Sequence, residues 1–136
     1  MADREDIYAF YKVQLEKLAT IYPSRFVVVR YSWSLKQLII RVTPLHQVEK
    51  QRAPLYVQFI GVEYLSLLPR WEGAMLTIIP LDETRGTLEQ IGISYDSEKP
   101  PYVVCAQPSD LRLYVVCHII WVHDKMPEIY AYEPGE

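Results

Sequence analysis

Glycine is scarce in this chain, with five in 136 residues, and so are histidine (three) and cysteine (two). So little glycine gives no support to a backbone cradle for phosphate, and no Gly-rich phosphate loop, G-x-S-x-G elbow or H-E-x-x-H metal motif occurs. Cys105 and Cys117 make no disulfide framework, and a domain of this size does not need one. A metal site would have to draw on Cys117, His118 and His123, with Cys105 or the distant His46. Neighbouring strand residues point to opposite faces, and neither C-x-x-C nor H-x-x-x-H spacing is present, so neither a metal nor a cofactor is expected. Both thiols lie among β-branched and aromatic neighbours, where cysteine behaves as an inert hydrophobe. No catalytic residue is assigned and a non-enzyme is expected.

No apolar stretch reaches the roughly 18 to 20 residues of a membrane span, and the N-terminus MADREDIYAF is acidic where a signal peptide carries positive charge. A cytoplasmic protein with no membrane partner is the expectation. Half the residues are hydrophobic and 23% are charged, ordinary values for a globular chain long enough for one core. One domain over residues 1–126 follows, with 127–136 as an acidic, aromatic tail.

What the chain has is alternation. LRLYVVCHIIWV, Leu111 to Val122, is apolar on both faces and is expected to form a central strand covered on both sides. FVVVRYSW and LKQLIIRV alternate with period two and pair through a turn near Ser34 to Lys36. LYVQFIGVEYL and AMLTIIPL give two more strands; Gly61 within the first predicts a bulge or a close backbone approach. YVVCAQ pairs with the long run through Gln107-Pro108-Ser109-Asp110, a register that sets Cys105 opposite Arg112. Ile7, Tyr11, Leu15, Leu18 and Tyr22, at spacings of three and four behind the cap Asp3, predict a helix over about 4–21, its apolar face widened by Phe10 and Val13. Asp82 is placed as the cap of a short second helix that Gly86 weakens. The result is an α+β fold in the order α-β-β-β-β-α-β-β: a single antiparallel sheet of about six strands, with an N-terminal helix and one short helix packed on one face.

Charge divides along the chain. Residues 1–70 carry ten Lys/Arg and six Asp/Glu, whereas 71–136 carry four and eleven. The halves are expected to face each other across one fold. Arg25, Arg30, Lys36, Arg41, Lys50 and Arg52, interleaved with Phe26, Tyr31 and Trp33, are a residue mix that sheets use on RNA. With an acidic chain and no RNP pattern, Arg30 and Arg41 are assigned to the solvent face of the first hairpin, and no nucleic-acid partner is expected.

Folding explains the eleven tyrosines least well. Tyr11, Tyr56 and Tyr114 fall in core periodicities, whereas Tyr95, Tyr102, Tyr130 and Tyr132 fall in or beside loops and the tail. Tyr and Trp combine contact area with a hydrogen bond, so Trp33, Trp71, Tyr95, Tyr130 and Tyr132 are the candidate partner-binding residues. The expected function is a non-catalytic protein–protein interaction module: a small adaptor, assembly factor or immunity-type protein. Its partner is another protein or a second copy, a homodimer joined through the poorly protected edges of the first two strands or through helix packing. A small-ligand or enzymatic domain with a pocket between sheet and helix is the second reading, and an RNA-binding sheet the third.

A charge on a strand covered on both faces costs several kcal/mol against a total stability of about 5–15 kcal/mol. Val115→Asp or Ile119→Asp is therefore expected to abolish cooperative melting in circular dichroism, and Arg30→Ala to leave it unchanged.

Overall fold

The computed structural model describes residues 3–45, 53–107 and 113–128. Asp3 caps helix α1 (Arg4–Glu16), its carboxylate accepting from the Asp6 N–H at 2.8 Å. The expected single helix to residue 21 tightens after Glu16 into a 3-10 turn, Lys17–Ile21, ahead of Pro23. Among the described residues nine strands follow: β1 (Ser24–Ser32), β2 (Gln37–Pro44), β3 (Leu55–Ile60), β4 (Tyr64–Ser66), β5 (Arg70–Glu72), β6 (Met75–Ile78), β7 (Tyr102–Gln107), β8 (Tyr114–Cys117) and β9 (Ile119–His123). Helix α2 (Leu81–Ile91) lies between β6 and β7. Its cap position is Pro80, so Asp82 sits in the first turn and not at the cap, and Gly92 (φ +84°) ends the helix.

The fold class is α+β, with two antiparallel sheets where one was expected. The larger has the order β5-β1-β2-β3-β9 and the smaller β4-β8-β7-β6. Three chain segments contribute to both. β3 runs into β4 beside β8 running into β9, and β5 continues into β6 through Gly73 and Ala74. Counting each bent segment once leaves six strands in the predicted order, and their pairings close into a ring.

The run Leu111 to Val122 is therefore not one central strand. β8 is an interior strand of the smaller sheet, β9 an edge strand of the larger, and His118 is the break. Gly61 explains the corner: its φ is +71°, and a Cβ there would lie 3.1–3.2 Å from the His118 side chain. The predicted close approach is thus the place where two paired strands bend together. The His118 N–H donates to the Ile60 carbonyl at 3.1 Å, the Glu63 N–H donates to Val116 at 2.8 Å, and the His118 and Glu63 side chains meet at 3.3 Å.

The space between the sheets holds the main core: Phe26, Leu38, Val57, Phe59, Val104, Val115 and Ile120, sealed by Tyr11, Leu15 and Leu18 of the N-terminal segment. A smaller cluster, Leu88 with Val103 and Val116, fixes α2 on the outer face of the smaller sheet. β8 is accordingly apolar on both sides because both sides are covered, Val115 by the main core and Val116 by α2. Ile119, at the corner, is only half-buried, so of the two charge substitutions Ile119→Asp is the milder.

The β7–β8 register sets Cys105 opposite Tyr114, two residues from the expected Arg112. The connecting turn beyond Gln107 lies outside the described residues. Both cysteines are buried and neither forms a disulfide, and burial pushes the Cys117 thiol far up. The first two strands are interior, not edges, so the edge-pairing route to a dimer loses its basis.

Gly61→Ala, strained by positive φ and crowded by His118, should cost about 1–3 kcal/mol in urea denaturation. Gly86→Ala, in a helix interior with open space around it, should gain about 0.5–1 kcal/mol.

Candidate protein-binding surface

The predicted contact residues separate. Trp33 is 81% exposed in the turn between β1 and β2, with Tyr31 also exposed on β1. Trp71 is 7% exposed: its ring stacks on Phe26 at 5.0 Å, and its indole N–H donates to the Ala74 carbonyl at 3.0 Å. It is a core residue at the β5–β6 corner, not an anchor for a partner. Tyr95 is half-buried against the α2 cluster, where it acts as a lid. Tyr130 and Tyr132 lie outside the described residues. Tyr102, expected beside a loop at the start of the YVVCAQ strand, begins β7 and is buried. Its ring meets Tyr11 edge-on at 5.2 Å beneath the Arg4 guanidinium, which donates to the carbonyls of Pro100 and Pro101. Burial, first of all, raises both phenol pKa values.

The RNA reading loses two members of its array: Phe26 is wholly buried, and Arg25 pairs with Glu72 at 2.9 Å. Lys50 and Arg52 lie outside the described residues. Among the described residues there is no group of His, Cys, Asp and Glu able to hold a metal ion. No helix among them is long and apolar enough to cross a membrane.

A different surface is assembled where α1 meets β9. Phe10 is 45% exposed, Val13 53% and Trp121 43%, and the Phe10 and Trp121 rings meet edge-on at 5.7 Å. Three and four residues along a helix share a side, which places Val13 and Gln14 with Phe10. Gln14 is buried, and its side-chain oxygen accepts from the Val122 N–H at 3.0 Å. The helix thereby satisfies the open edge of β9 with a side chain, which keeps Phe10 beside Trp121.

The sheet beneath is braced as well. Trp121 pairs across β3 with Gln58, and His123 with Tyr56. The His123 Nε2 lies 2.8 Å from the Gln58 side-chain oxygen, while the Gln58 amide donates to Gln37 at 3.2 Å and to the Glu128 carbonyl at 3.5 Å. Burial lowers the His123 pKa, and the adjacent Asp124 opposes the shift in part.

Sequence periodicity had assigned Phe10, Val13 and Trp121 to the core. The available signal was the width of the helix: Ile7, Tyr11, Leu15 and Leu18 already complete a core stripe, so Phe10 and Val13 are surplus to it. Clefts border both helices.

A histidine whose folded pKa is depressed binds fewer protons folded than unfolded. Its stability contribution is complete above the unfolded value of about 6.5 and is lost as pH falls toward the folded one. The melting temperature should therefore decline as pH drops from about 6.5 to 5, and His123→Gln should flatten part of that slope in thermal melts across a pH series. In comparisons with known proteins the chain matches no family model, no curated protein and no solved structure, which leaves the surface itself as the ground for a functional reading.

Proposed function

We propose that this protein is a non-catalytic interaction module that binds another protein through the Phe10–Val13–Trp121 surface. The carrying observation is the edge-on Phe10–Trp121 pair, two large apolar rings on separate elements held half in solvent by a buried Gln14. Aromatic side chains ordered before binding lose little entropy on contact, the property of interface anchors. Trp33 is too far exposed and too singly placed to carry the reading, and serves as the comparison site.

A photo-crosslinking residue placed at position 13 in the native host should give a discrete heavier adduct, and the same residue at position 33 a weaker one or none. Adding Phe10→Ala and Trp121→Ala should remove the adduct at position 13 while leaving the melting temperature within a few degrees. Absence of any adduct at position 13 sinks the proposal. An adduct of twice the chain's mass identifies a second copy instead.

A further inference from the structure

The two helices pack on the smaller sheet in different ways, α1 beside β6 and α2 over Val103 and Val116, and a cleft of about 410 Å³ lies between them. That size falls in the range of small-molecule sites. Residues four apart share a side of a helix, and each helix lines the cleft with one such pair: Tyr8 and Lys12 from α1, Glu83 and Thr87 from α2. The floor is the outer face of the sheet, where the Thr77 hydroxyl and the Cys105 thiol meet at 3.6 Å. Ile79 and Pro80, the link from β6 to α2, add an apolar border.

The two walls differ in kind. A lysine ammonium only donates hydrogen bonds, and the Tyr8 phenol beside it supplies an O–H. A glutamate carboxylate only accepts them. The Thr87 hydroxyl joins it as an acceptor, because its own proton is given to the Glu83 carbonyl at 3.0 Å and only its lone pairs remain. Among the described residues neither Lys12 nor Glu83 has an ion pair, with the other or with any neighbour, whereas Arg85 and Glu89 on the same helix pair at 3.4 Å. A simple anion at Lys12 would meet the like charge of Glu83, and a simple cation at Glu83 that of Lys12. A ligand that carries both charges satisfies both walls.

We propose that this cleft binds a free α-amino acid with an apolar side chain. Its carboxylate lies against Lys12 and the Tyr8 O–H, its ammonium against Glu83 and Thr87, and its side chain over Ile79 and Pro80. The two charges of the ligand sit on one carbon at a fixed separation, so bridging the walls orders no flexible linker. The site shares no residue with the Phe10–Trp121 surface, so either proposal survives the failure of the other.

The test is titration of the full chain with the free L-amino acids one at a time, followed by amide NMR shifts. At least one apolar amino acid should bind and shift the amides of Thr77, Glu83 and Thr87. Its N-acetyl derivative and its primary amide, each of which cancels one charge, should bind about tenfold more weakly. Lys12→Gln and Glu83→Gln, both at exposed positions, should each weaken the amino acid about tenfold at an unchanged melting temperature. The two variants should also differ: Lys12→Gln no longer separates the acid from its amide, and Glu83→Gln no longer separates the amine from its N-acetyl form. Phe10→Ala should leave the affinity as it was. No binding by any amino acid up to about 10 mM overturns the proposal. So does binding that both glutamine variants retain in full, or an N-acetyl or amide form that binds as well as the parent, since the cleft would then read at most a single charge.

Discussion

The contact between Gly61 and His118 decides the shape of the molecule. Two hydrogen-bonded strands cannot change sheets unless they bend together, and at this corner one supplies a residue without a side chain while the other lays its imidazole into the space. The ladder resumes on both sides, β3 with β9 and β4 with β8, so no backbone pairing is given up beyond the corner itself. The core forms between the two sheets because this bend, with the second at Gly73, folds a ring of six strands over on itself. α1 then closes a side that strands leave open.

The surface chemistry follows from that closure. A helix laid along strand edges must leave part of its girth in water, and α1 is apolar over more of its circumference than the core can use. Phe10 and Val13 are the excess. The same placement opposes a helix, whose backbone is satisfied internally, to strand edges, whose backbone is not, so each edge needs a separate solution. Gln14 is the solution at β9.

Much of this was readable in the residues, and the failures have a common origin. The order of six strands and two helices follows from period-two and period-3.6 alternation, which the corners barely disturb. A bend that consumes a single residue, as at His118, leaves an apolar run looking unbroken, and Leu111 to Val122 therefore reads as one strand. Gly61 was the only trace of the corner, and it lies on the partner strand. Trp33 and Trp71 both sit near turns with similar neighbours; what separates them is that Trp71 pairs across the ladder with Phe26, a contact between residues 45 apart that no local pattern contains. Gln14 and Trp121 are joined to their partners over comparable or longer separations, so the surface they build is invisible until the chain is folded.

The ring also governs the route by which the chain reaches it. β1 and β2 are joined by a short turn, but β3/β4 must find β8/β9 some sixty residues later, and β5 must return to β1. Most of the strand pairings join residues far apart along the chain, so most of the loop-closure entropy is spent before the contacts that repay it exist. A topology of this kind belongs with the slower-folding small domains, on the millisecond-to-second scale. The β1–β2 hairpin is the natural early structure, and the corner at Gly61 is the event that commits the rest of the chain.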